Sequence, residues 1–197
     1  MPSLPSFLDI AVRLTVTLCW LVLGVALLPR KPWHAPERQR DPTSIVGFAL
    51  HGLAFATVWL MRRQRFTPIV PMSVSIEMAM AMGTCALSVG SVWLNVVAIR
   101  TLGKQWSVAA RLREVHKLVT EGPYRVVRHP IYAANFGLLL ATGLAFSRLG
   151  PLLLASLAFW IGSVIRVRGE ERLLREAFGE EYEAYARRVP ALFPRLC

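Results

Sequence analysis

Arg128, His129 and Pro130 close a cation-rich turn, Gly122-Pro-Tyr-Arg-Val-Val-Arg-His-Pro-Ile-Tyr132, that runs straight into an apolar stretch. Pro130 suits a first helical position, where its missing N–H would have had no intrahelical partner. The free N–H groups of that first turn, and the positive end of the helix dipole, then face the Arg128–His129 side. Such a helix start can hold an anion at the edge of a bilayer. It can equally be an anchor lying among lipid headgroups. Arg166 and Glu170 form a second candidate pair, placed on one face of a continuous helix by their spacing. Ionisable residues at the membrane boundary of a bundle are functional candidates by default. With Glu171 they bring both signs of charge to one rim, which suits a zwitterionic ligand carrying a carboxylate, an ammonium and hydroxyls. Asn95 and His51, inside apolar segments, are candidates to line an acceptor site. An interhelical hydrogen bond is the competing use for each.

The elements that must position these residues are helical and membrane-bound. Hydrophobic residues make up 54% of the 197-residue chain and charged residues 18%, and the apolar residues come in blocks. Five spans are expected, at 7–29, 44–61, 73–99, 131–146 and 149–165, followed by a cytosolic tail, 166–197. The first three blocks meet the ~17–25 residues a spanning helix needs, whereas the last two are shorter and read as a tight helical hairpin. Ala133, Gly137 and Ala141 in one arm, and Ala158 and Gly162 in the other, are spaced to let the arms approach closely.

The net charge of +11 would suit nucleic acid, but its distribution points to a membrane. With the N-terminus outside and the C-terminus in the cytoplasm, 18 cations fall inside, four outside (Arg62, Arg63, Arg65, Arg148) and one, Arg13, within the first span. That asymmetry follows the positive-inside rule, with the arginine cluster at 62–65 as its exception. Cys19, Cys85 and Cys197 form no ligand spacing, so no metal site is expected. No GxGxxG follows a strand, so a Rossmann methyltransferase or soluble dehydrogenase is not supported. The whole chain reads as one all-α membrane domain.

Polar residues concentrate in the loop at 100–130 and in the tail. The loop is long enough to be functional, and Gly122-Pro123 punctuates its end. The tail carries Leu173, Leu174, Ala177 and Phe178 at helical spacing, then Gly179, then a short helix offering Tyr182 and Tyr185 before Pro190. On its own this tail reads as a helix lying on the membrane surface.

His116-Lys-Leu-Val-Thr-Glu-Gly-Pro-Tyr-Arg-Val-Val-Arg-His-Pro-Ile-Tyr132 resembles the first motif of the isoprenylcysteine carboxyl methyltransferases and their bacterial relatives. Glu170-Glu171, Phe178-Gly-Glu-Glu-Tyr182 and Tyr185-Ala-Arg-Arg-Val-Pro190 resemble that family's C-terminal signature, in the same order and spacing. The resemblance covers about residues 100–195. It implies a five-helix bacterial inner-membrane methyltransferase in which loop and tail wrap S-adenosylmethionine at the cytosolic face. Carried over by position, His116, Lys117, Leu118, Val119, Tyr124, Arg128, His129, Pro130, Tyr132, Glu170 and Glu171 would bind the cofactor. Arg166 and Glu170 would be catalytic, with Arg166 on the side of a lipophilic or prenylated acceptor; Asn95, outside the matched stretch, is a candidate for that side from its place in the third span alone. The chain departs from the pattern at Ala109, where relatives often carry Gln, and Gln105 is the nearest substitute.

The expected reaction is carboxyl methylation of an isoprenylcysteine-like acid. Methylation of a phospholipid amine or a small thiol is the nearest alternative. A membrane NADPH-dependent reductase and a non-catalytic lipid-binding protein are the more distant ones.

Overall fold

The computed structural model describes residues 6–28, 37–40, 42–63, 73–103, 111–113 and 117–193. Six α-helices dominate it: α1 (Ser6–Ala26), α2 (Ser44–Leu60), α3 (Val74–Leu102), α4 (Pro130–Phe146), α5 (Leu149–Phe178) and α6 (Glu180–Arg188). A short antiparallel ribbon of β1 (Glu37–Arg40) and β2 (Arg111–Arg113) joins the two polar loops, a local exception to the all-α expectation. α1, α3 and α5 are long and apolar enough to cross a membrane, whereas α2 and α4 have 17 residues each.

α4 sits among the other long helices because its residues are small or apolar on every side. Leu139 packs with Ala54 and Val58 of α2 and with Leu152, Ala155 and Phe159 of α5. Leu138 packs with Cys19 and Leu23 of α1 and Val92 of α3, while Ala145 and Phe146 meet Val12, Val16 and Ala81. The outward faces stay apolar, with Leu14, Leu18, Leu21 and Val25 of α1 all more than half exposed. A continuous apolar exterior of this kind belongs in lipid.

The structure redirects one expectation. The two glycines of the α4–α5 hairpin, Gly137 and Gly162, meet other helices rather than each other. Gly137 abuts Ser91 and Leu87 of α3, and Gly162 abuts Gly47, Leu50 and His51 of α2. Spacing reveals which face of a helix is smooth, but not which neighbour meets it. Beyond the fifth expected span α5 continues unbroken, for 30 residues in all, about 45 Å, which keeps Arg166 and Glu170 on one continuous helix. Gly169 alone is not enough to break it. The stop comes at Gly179, whose φ of +49° suits a residue without Cβ, and α6 folds back from there.

The arginine cluster that broke the charge asymmetry has a structural use. Arg63 is buried, its backbone N–H donates to the Phe146 carbonyl at 2.9 Å, and its Nη2 donates to the Leu144 carbonyl. Arg62 lies over the Trp59 ring at 4.6 Å. Arg63 thus caps the carbonyl end of α4, and Arg62, whose Nε donates to the Trp59 carbonyl at 2.7 Å, caps that of α2, both places where cations are favoured. Arg65 lies outside the described residues.

Candidate functional site

At the other end of α4, the cation-rich turn and the middle of α5 come together. A 3₁₀ turn, Gly122–Arg125, delivers the chain to Arg128, and Pro130 opens α4 as its first residue. Two rigid elements therefore set the relative placement of His129, Tyr132, Arg166, Glu170 and Glu171.

The two adjacent carboxylates have different surroundings. Glu171 accepts from Arg128 Nη2 at 2.7 Å and Nε at 3.0 Å, and from Arg175 at 3.2 Å. Its Oε1 also lies 3.3 Å from His129 Nε2. Glu170 faces the bundle: Tyr132 donates its hydroxyl to Glu170 Oε1, His129 Nδ1 stands 3.5 Å from Oε2, and Arg166 Nη2 is 3.5 Å from Oε1. Arg166 Nε donates to the Tyr132 oxygen at 2.8 Å, so Tyr132 links the two charged groups. Glu171 is 9% exposed and Glu170 25%, which leaves Glu170 as the carboxylate open to a ligand.

Arg128 was expected to hold an anion from outside; the structure commits it to the protein instead. Besides Glu171, it donates from Nη1 to the carbonyls of Ala186 and Val189. Backbone N–H groups of Arg128 and His129 donate to the carbonyls of Pro190 and Ala191 at 2.8 and 2.9 Å. Tyr185 donates to the Tyr124 carbonyl at 2.6 Å, and Tyr182 is fully buried. The tail is therefore not a surface helix. The buried Tyr182–Tyr185 face of α6 and the carbonyls that follow it close over the turn, because Arg128 offers more donors than one carboxylate can satisfy.

His129 is 6% exposed, between two carboxylates. Burial works against its charged form, but the hydrogen bonds and charges of Glu170 and Glu171 prevail and hold its pKa above the ordinary value. Stability from this ion pairing is complete below an unfolded imidazole pKa of ~6.5 and fades as pH rises through the folded value. His129→Gln should therefore cost about 3 kcal/mol near pH 6, as for a broken buried pair. Melting curves in detergent should show that gap narrowing as the pH rises above the ordinary imidazole range. A gap that widens with pH would mean His129 is buried neutral.

Of the other expected site residues, Tyr124 is buried, Pro130 is fully enclosed, and Leu118 and Val119 are half-buried on the approach to the turn, with Lys117 exposed. His116, with Gln105 and Ala109, lies outside the described residues. Asn95, a candidate for the acceptor side or for an interhelical hydrogen bond, donates to Ser91 O at 3.3 Å and Asn135 Oδ1 at 3.1 Å. It is 1% exposed and acts as an interhelical lock between α3 and α4. His51 bonds to Ser163 at 3.0 Å and stacks on Phe159, its ring edge toward Tyr132. Ser44 and Gly47, at the start of α2, touch Arg166 and were not anticipated. Backbone carbonyls and glycine contacts leave no motif to read.

The profile of a family described as phospholipid methyltransferase matches residues 78–181, which takes in every member of the charged cluster and leaves out α1 and α2. The chain is 39% identical to the cobalt-zinc-cadmium resistance protein CzcN of Cupriavidus metallidurans over 101 residues, 51% of this chain and 46% of the relative. It is 36% identical to the protein-S-isoprenylcysteine O-methyltransferase B of Arabidopsis thaliana over 107 residues, 51% of this chain and 52% of the relative. A Schizosaccharomyces pombe protein-S-isoprenylcysteine O-methyltransferase is 36% identical over 104 residues, 52% and 44% of the two chains. The chain thus spans about half the length of the curated relatives it matches.

Proposed function

Since the chain belongs to the phospholipid methyltransferase family, we propose that it is an integral-membrane methyltransferase using S-adenosylmethionine to methylate a carboxylate on a lipophilic acceptor, best an isoprenylcysteine-like acid. The observation that carries this reading is Arg166, 5% exposed and braced by the Tyr132 oxygen, beside a carboxylate that still reaches solvent.

The residues present fit the cofactor. Its ammonium and ribose hydroxyls need an acceptor, and Glu170 is the more open of the two carboxylates. Glu170, His129 and Tyr132 would hold it, with Leu118, Val119 and Tyr124 as apolar walls and Glu171 as the support behind them. When bound, S-adenosylmethionine supplies a methyl group already activated on a sulfonium. The protein then mainly aligns and dehydrates, and orientation of that kind can supply about 7–11 kcal/mol.

The charges favour a carboxylate acceptor over an amine. Arg128, His129 and Arg166 outnumber Glu170 and Glu171, so an ammonium beside Arg166 is disfavoured. A carboxylate is already ionised at neutral pH, with a pKa near ~4, and needs no general base. Arg166 can bind it in bidentate fashion.

In our reading all five long helices cross a bacterial inner membrane, N-terminus outside, with the charged cluster at the cytoplasmic rim. The shorter α2 and α4 cross where the bilayer thins around them.

The test is methyl transfer by purified protein, from labelled S-adenosylmethionine to a prenylcysteine analogue in liposomes. Label released by mild base is the expected result, because esters hydrolyse. Base-stable label in phosphatidylethanolamine would replace this reading with amine methylation, which the family description favours. Absence of both transfer and S-adenosylhomocysteine binding would end it.

A further inference from the structure

The family match begins in α3, yet Arg166 makes contacts outside it. Ser44, the first residue of α2, accepts from Arg166 Nη1 through its carbonyl at 3.4 Å. The hydroxyl of the same residue is buried and has no hydrogen-bond partner, in a side chain only 4% exposed. An unsatisfied buried hydroxyl is costly unless something occupies it part of the time. One helical turn on, a Cβ at Gly47 would lie 2.5 Å from Arg166 Cγ and 2.7 Å from the Gly162 carbonyl. Arg166 therefore lies across the bare backbone of α2, and the N-terminal dipole of a 17-residue helix adds positive potential beside it.

We propose that α2 completes the acceptor site: the Ser44 hydroxyl is a second donor, beside the Arg166 guanidinium, to the acceptor's carboxylate, and Gly47 is the positioning residue that lets Arg166 lie there. This rests on the carboxylate reading above. Glu170, held by Tyr132 and His129, lies at Arg166 Nη2, and Arg166 Nη1 lies on the Ser44 side. A hydroxyl donating to a carboxylate also explains why a polar side chain tolerates burial at this helix start.

The experiment compares binding of a prenylcysteine analogue with that of its carboxamide, to protein saturated with S-adenosylhomocysteine. Wild type should prefer the acid, and Ser44→Ala should weaken acid binding about tenfold and carboxamide binding by less, since a hydrogen bond to a charged acceptor is the stronger one. Ser44→Thr should restore it. Gly47→Ala and Gly162→Ala both crowd the same α2–α5 crossing, where a Cβ at Gly162 would meet the Gly47 carbonyl at 2.8 Å, but only the former displaces Arg166. Gly47→Ala should therefore lose the acid preference and Gly162→Ala retain it. If wild type shows no acid preference, the carboxylate reading itself fails. If wild type shows one and Ser44→Ala keeps it in full, or Gly47→Ala is no worse than Gly162→Ala, α2 has no part in the site.

Discussion

Arg166→Ala is expected to lower kcat/KM for a carboxylate acceptor by about a thousandfold, which corresponds to roughly 4 kcal/mol. That is the range for truncating one partner of a buried, hydrogen-bonded charge pair. Cofactor affinity should change little, because Glu170 keeps its contacts to Tyr132 and His129 when Arg166 is gone. Arg166→Lys should fall between, since the charge survives but the fork and the Nε bond to Tyr132 do not. Initial rates against acceptor concentration, with S-adenosylhomocysteine titrated in parallel, separate the two effects. Equal loss of cofactor and acceptor binding would recast Arg166 as a support for Glu170 rather than a contact to the acceptor.

The parts of the site that were legible in the sequence share one property: their geometry is local. Pro130 marks the start of α4 by its own chemistry, and Arg166 and Glu170 share a face because a helix repeats. The bond between Arg128 and Glu171 joins residues far apart in the chain, and nothing in either segment announces the other. Arg128 thus looked like a ligand for an external anion, when its donors are used by Glu171 and by the carbonyls of the tail. The same gap explains the smooth faces of Gly137 and Gly162, whose partners lie on α3 and α2. Asn95 shows the converse: a lone polar residue in an apolar helix signals burial with a partner, and Asn135 was in plain view one helix away.

Adjacent carboxylates on one helix point about 100° apart, and that angle should divide their roles when each is made an amide. Glu171→Gln leaves Arg128 without its counter-ion in a largely buried setting, whereas the half-exposed Arg175 keeps Glu183. A broken buried pair of this kind costs about 3–5 kcal/mol. Because Arg128 also clasps the carbonyls of Ala186 and Val189, the segment after α6 should loosen with it. A lowered melting temperature and faster proteolysis near residues 189–193 are the expected signs. Glu170→Gln should lower the melting temperature less than Glu171→Gln, since Tyr132 can still donate to an amide oxygen, Arg166 keeps its bond to Tyr132 and His129 keeps Glu171. It should nevertheless weaken S-adenosylhomocysteine by about a hundredfold, as for loss of charge-assisted hydrogen bonds worth roughly 3 kcal/mol. Isothermal titration and thermal melting on the two variants measure this contrast directly. The opposite pattern, with Glu171→Gln folded but unable to bind and Glu170→Gln unfolded, would exchange the two roles and move the cofactor to the Arg128 side of α5.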